Sequence, residues 1–374
     1  PSDVKAQFEK GLISLPMGME NGSPIQGDLA NLTAFYERGI RYITLAHSQA
    51  NHISDSSYDL RRKWKGLSPF GKTLVGEMNN IGIMLDISHV SDDAFYQVIE
   101  LTKVPVIASH SSLRRFTPGF ERNMDDEMIK KLGENGGVIM INFGSSFVSK
   151  EAGKWRSGLT AARKALVEKE GEDSPKLENF EENYRKEVPY PYSTLDEVLD
   201  HIDHVVKLIG VDHVGIGSDY DGVGDSLPIG LKDVASFPNL VQGLLDRGYQ
   251  RNDIEKILSG NVLRVWQQVG DHIIRTNAER TEQVRSLRDL RMILAPCQCF
   301  GLVGRTGLDL EAHRRTVGEL LRRLGQTLEN RADIQPVGKG QRLDRQLVGH
   351  RAEIVLFAHL ILPRRFCGPL TVGH

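Results

Sequence analysis

Two histidines close short apolar runs, His89 in "MLDISHVS" and His110 in "VIASHSS", and 21 positions separate them. Zinc takes neutral imidazole nitrogens and carboxylate oxygens, and a catalytic ion keeps one position free for water. Glu20, in "LPMGMENG", supplies a carboxylate after a third apolar run, and His47 ends a fourth, "YITLAH". Asp219 follows another in "GIGSDYDGVG", where the glycines let backbone and substrate come close. An aspartate so placed can move a proton from water to a leaving nitrogen. Arg122, in "FERNM", comes one loop after His110; it could clamp a substrate carboxylate bidentately, although a surface arginine is the ordinary reading. Each residue alone is unremarkable. As a set at equivalent places they point to a metal-dependent hydrolase.

Other candidates are weaker. Asp221 rivals Asp219 but should lie in the turn that follows. His201 and His204 form an H-x-x-H pair on an amphipathic segment, where solvated or helix-packing histidines are the simpler reading. There is no H-E-x-x-H, no G-x-G-x-x-G and no Walker loop. Cys297, Cys299 and Cys367 all lie in the last 80 residues, which excludes a disulfide framework for most of the chain and gives only a weak zinc signal.

The elements that must carry these residues alternate. Strands are predicted at 12–19, 41–46, 82–88, 104–109, 137–143 and 213–218, apolar on both faces as in a parallel sheet. Helices are predicted at 28–38, 68–80, 91–102, 125–134 and 194–209, with Asp28, Ser68 and Ser91 as N-caps. Strand then helix, repeated six times, is an α/β pattern. A (β/α)8 barrel collects chemistry at the carboxyl ends of many strands, whereas a doubly wound sheet concentrates it at one switch point. The spread of candidates favours the barrel, here with about six of its eight units.

The 374 residues carry a net charge of -2, which gives no reason to expect nucleic acid or an anionic membrane as partner. No uncharged apolar run reaches the roughly 18 residues of a membrane span, and the first residues lack the pattern of a signal peptide, so the compartment stays open. Composition breaks near residue 274: from Arg275 to His374 there are 16 Arg and a single Lys, with no consistent apolar period. The expected division is a barrel over 1–274 and an Arg-rich, poorly patterned extension over 275–374. The charged stretch 145–193 is expected either to cover the site or to meet a partner subunit in a homodimer.

The segments "GMENG", "GIRYITLAHSQAN", "GLSPFGKTLVGEMNNIGIMLDISHVSDD", "PVIASHSS", "ERNMDDEM", "HIDHVVKLIG", "GIGSDYDGV" and "GNVLRVWQQV" resemble, in order, the membrane or renal dipeptidases and their bacterial relatives. The resemblance covers about residues 11–270. It implies a metal-dependent hydrolase barrel with two zinc ions and a hydroxide bridging them, acting on dipeptides. By the same resemblance Glu20 is the carboxylate shared by both ions and His89 and His110 are ligands of one. His47 polarises the scissile carbonyl, Arg122 grips the substrate's terminal carboxylate, and Asp219 shuttles the proton. The family draws two ligands of the other zinc from a His-x-Asp on its first strand, and no such motif stands among the 19 residues before Glu20. The sequence therefore resembles an amino-terminally incomplete member, expected to be feeble or inactive by itself. Another amidohydrolase-type reaction and a non-catalytic remnant are the alternatives.

Overall fold

The computed structural model describes residues 1–294, so the Arg-rich sequence from residue 295 onward lies outside the described residues. Six strands, β1 (Met17–Met19), β2 (Ile40–Thr44), β3 (Met84–Asp86), β4 (Ile107–Ser111), β5 (Val138–Asn142) and β6 (Val214–Ser218), pair in sequence order, all parallel. β1 and β6 are the two edges, so the sheet is an open half-barrel rather than a closed ring. The six expected units are all present.

Between and around the strands lie α1 (Ser2–Glu9), α2 (Leu29–Glu37), α3 (Pro69–Ile81), α4 (Asp92–Leu101), α5 (Asp126–Asn135), α6 (Ser145–Val148), α7 (Lys150–Glu170), α8 (Phe180–Glu187), α9 (Leu195–Ile209), α10 (Phe237–Asp246), α11 (Arg251–Glu255) and α12 (Asn261–Leu294). Local chemistry sets their starts. The Asp28, Ser68 and Ser91 side chains accept from Ala30, Gly71 and Ala94 backbone N–H groups, and Thr194 with Glu197 forms a capping box on α9. Gly82 and Gly136 end α3 and α5 in the left-handed conformation that costs glycine little.

Strand alternation divides the core in two. Ile43, Leu85, Ala108, Ile139 and Ile141 face outward into one cluster with Leu74 and Met78 of α3, Phe95 of α4, Leu132 of α5 and Ile202 of α9. Tyr42, Met84, Ile107, Val138 and Met140 face the other way, against Val265 and Val269 of α12. Each such side chain contributes roughly 1.5–3 kcal/mol on burial. Asn261 donates to the Val211 and Val214 carbonyls, and Arg264 to those of Gly136 and Asp212. These carbonyls stand at the amino ends of β5 and β6, so α12 covers that end of the sheet. The carboxyl ends are left for the site.

Strand bounds differ most from expectation in two places. Residues 12–16 are not strand: Leu12, Ile13 and Leu15 are exposed, and Pro16 has no N–H for a ladder. β4 starts later than predicted and runs through His110, because Pro105 likewise cannot donate. α12 runs unbroken across the composition change at 274–275. No helix among the described residues is long and apolar enough to cross a membrane.

Candidate metal centre

Glu20, His47, His89, His110 and Asp219 sit at the carboxyl end of the sheet. Glu20 directly follows β1, His47 and His89 come three residues after β2 and β3, His110 lies within β4, and Asp219 directly follows β6. Several of these turns use left-handed backbone in non-glycine residues: Asn21 (φ 73), His89 (φ 69), Ser218 (φ 33) and Asp219 (φ 63). Such conformations cost of order 1–3 kcal/mol and persist where surrounding contacts enforce them. At Asn21 those contacts are visible. Its Oδ1 accepts from the Ser23 N–H and hydroxyl and from Asn51 Nδ2, which also donates to the Leu45 carbonyl. The turns bearing Glu20 and His47 are thereby tied together.

The tightest group is Glu20, His89 and His110. Glu20 Oε1 is 2.9 Å from His89 Nε2 and 3.0 Å from His110 Nε2, and the two nitrogens are 2.8 Å apart. His47 Nε2 joins more loosely, 3.5 Å from the same oxygen, with its ring tilted against that of His89 at 4.3 Å. Burial alone would raise the Glu20 carboxyl, but hydrogen bonding to His110 and His89 outweighs it and holds the group far below its ordinary value. Burial, with Arg122 nearby, pushes His89 well below the usual imidazole range, so it stays neutral. His89 Nδ1 has no hydrogen-bond partner among the described residues.

Arg122 is not the surface arginine that is its ordinary reading. It is 3% exposed, donating from Nη1 to Ser111 Oγ and from Nη2 to the His110 carbonyl, both at 2.7 Å, while its Nε–H is unpartnered among the described residues. No carboxylate pairs with it among the described residues, and burial lowers its pKa. Asp219 is mostly buried too, which raises its carboxyl above the ordinary value, and it accepts from Asn142 Nδ2 at 2.8 Å. Asp221 is exposed in the following turn, as expected.

His201 is a packing residue. It is wholly buried, accepts at Nδ1 from the Leu113 N–H, donates from Nε2 to the Val148 carbonyl, and is lowered by burial to about 4. His204 pairs with Asp126 at 2.9 Å. From the stretch 145–193, Arg156 of α7 lies over the rings of Tyr58 and Phe120, at 5.7 and 5.9 Å, and Tyr58 faces the His89 ring at 5.9 Å.

Sequence reasoning passed over Asp86, Asn142 and Tyr58. The signal for Asp86 was present, a carboxylate inside an otherwise apolar strand. Asn142 and Tyr58 have no comparable mark.

Over residues 1–280 the chain matches the family model described as membrane dipeptidase, peptidase family M19. It belongs to that family. An uncharacterized dipeptidase of Schizosaccharomyces pombe is 34% identical over 269 residues, covering 72% of this chain and 56% of the relative. The probable dipeptidase PvdM from Pseudomonas aeruginosa superposes with a TM-score of 0.63 at 30% identity, covering 73% of each chain. A metallo peptidase from Rhodobacter sphaeroides, solved with a phosphinate mimic of the dipeptide L-Ala-D-Ala, superposes with a TM-score of 0.57 at 26% identity, over 72% of this chain and 67% of that one. The chain spans about half the length of the curated relatives it matches.

Membership in a family with metallopeptidase structures implies a metal, and the donors fit one. Glu20, His47 and His89 alone bring a ligand atom each within 4.8 Å of one another. His110 Nε2 adds a further nitrogen, 3.0 Å from Glu20 Oε1 and 2.8 Å from His89 Nε2, and a set of imidazole nitrogens around a carboxylate suits a borderline divalent ion.

Proposed function

We propose that this site is that of a zinc-dependent dipeptidase, with Glu20, His89 and His110 as ligands. The observation that carries the reading is Arg122: a buried guanidinium without a carboxylate partner donates to the backbone carbonyl of a ligand histidine. A buried cation is costly unless paired, so the site is built to receive an anion beside the metal donors. The terminal carboxylate of a dipeptide is such an anion, within one residue of the bond to be cut. A lactone or a neutral amide offers none there.

A divalent ion held by these donors supplies charge that polarises a carbonyl and makes water nucleophilic near neutral pH. The chain does the rest. Arg122 fixes the substrate by its carboxylate, which sets the scissile carbonyl against the cluster. His47, the most exposed of the three histidines, donates from Nε2 to the oxygen that gains charge. Burial keeps a proton on Asp219 at higher pH than a solvated aspartate would hold it, which suits delivery to the leaving amine. Asn142 orients that carboxylate through its 2.8 Å bond.

The test is binding and turnover with zinc present. The chain is expected to bind a phosphinate mimic of L-Ala-D-Ala, and to prefer a dipeptide over its carboxyl-terminal amide. Equal treatment of acid and amide would overturn the substrate assignment.

A further inference from the structure

Beneath the metal donors, Asp86 is fully buried on β3 and forms no ion pair among the described residues. Its carboxylate is nonetheless saturated with donors from β2, β4 and the turn after β3. Oδ1 accepts from the backbone N–H groups of Ser88 at 3.0 Å and Ser109 at 2.9 Å. Oδ2 accepts from the Ser109 hydroxyl at 2.6 Å and from the Thr44 hydroxyl. Ser109 Oγ also lies 2.7 Å from His110 Nδ1.

A serine hydroxyl has one proton. Given to Asp86, it cannot also be given to His110, so His110 Nδ1 must carry a proton and donate it to Ser109 Oγ. Nε2, the atom that faces Glu20 and His89, is then the position a metal would take. His89 has no such arrangement, since its Nδ1 is unpartnered among the described residues.

Resting on the metal-centre reading above, we propose that Asp86 and Ser109 are positioning residues that fix His110 with its proton on Nδ1 and so preset Nε2 as a metal ligand. Outer partners of this kind typically change metal affinity by about 10–100-fold when removed. Serine here stands between the carboxylate and the imidazole, which makes Ser109→Ala the informative change: it breaks the relay and leaves Asp86 its other three donors.

The experiment uses the full chain labelled with 15N-histidine, freed of metal and held near pH 8, with His110 assigned by its loss in His110→Gln. Long-range proton–nitrogen correlation should show the wild-type His110 proton on Nδ1; a bare Nδ1 would overturn the proposal without any variant. In Ser109→Ala the proton should redistribute toward Nε2, and zinc affinity, measured by competition with a chromophoric chelator, should fall about 10–100-fold. Ser109→Thr, which keeps the hydroxyl, should restore both. A folded Ser109→Ala chain that keeps wild-type zinc affinity, or loses it with Nδ1 still protonated, would overturn the relay. A wild-type chain that takes up no zinc would instead overturn the metal-centre reading, and the relay's purpose with it.

Discussion

His89 Nε2 and His110 Nε2 stand 2.8 Å apart, although one lies in a left-handed turn after β3 and the other inside β4. The two ring nitrogens meet at hydrogen-bonding distance, and both face the same carboxylate oxygen. With Glu20 Oε1 at 2.9 and 3.0 Å they form a preassembled three-donor set.

One metal ion per chain should therefore remain after dialysis, since among the described residues the donors gather around one carboxylate: Glu20 with His47 and His89 within 4.8 Å of one another, and His110 3.0 Å from Glu20. Glu20→Gln should weaken zinc binding by more than about 100-fold, beyond what removal of an outer partner does. Elemental analysis and chelator competition measure both; two tightly held ions would contradict the count.

Arg122→Ala should abolish the preference for a dipeptide over its carboxyl-terminal amide. The expected signature is a raised KM for the acid and an unchanged one for the amide. A uniform loss with both substrates would mean that Arg122 only props the backbone of His110.

Asp219→Asn should lower turnover yet raise the melting temperature at neutral pH. Burial raises the folded-state pKa of Asp219 above its unfolded value, so the folded chain holds that proton more tightly. Stability from this group is greatest at low pH and falls as pH rises through the interval between the two values. The gap between variant and wild type should close when the pH drops below the ordinary carboxylate range, and thermal melts across pH would reveal it.

His201 gives the opposite slope. Its folded pKa is about 4 against 6.5 unfolded, because its buried ring is neutral. The unfolded chain takes up the proton first, so stability is lost between pH 6.5 and 4, on the order of 3 kcal/mol in all. His201→Gln should flatten that part of the curve in denaturant titrations; an unchanged acid slope would rule His201 out as its source.

Gly217→Ala tests the link between fold and site. A methyl group there would lie 2.5 Å from the Met140 carbonyl oxygen, 2.6 Å from that of Ser109 and 2.9 Å from His110 Cα. Backbone cannot step aside as a side chain can, so a cost of about 1–3 kcal/mol is expected, with weaker zinc binding as His110 shifts. Wild-type values on both counts would show that β6 has slack beneath the site.

By itself the sequence determined the six strands, the helices α2, α3, α4, α5 and α9, and the residue types that end them, while the helices of the charged stretch after β5 were not legible in it. Period-2 and period-3.6 patterns, caps and glycine stops act over a few residues, so six strands, their helices and the polar residue near most strand ends were legible. The family resemblance was legible for the same reason, because it rests on ordered local motifs. Tertiary structure decided what no local pattern contains. Pairing of β1 to β6 in order, with left-handed turns at His89 and Asp219, brings nitrogens and oxygens from residues 20 to 219 onto one rim. It buries Arg122 without an anion, where its loop position reads as surface, and makes His201 a core residue. It also turns Asp86, a lone charge in an apolar strand, into an acceptor for groups of β2, β4 and the turn after β3. Those outcomes depend on distances between residues far apart in the chain, which only sheet register and packing fix.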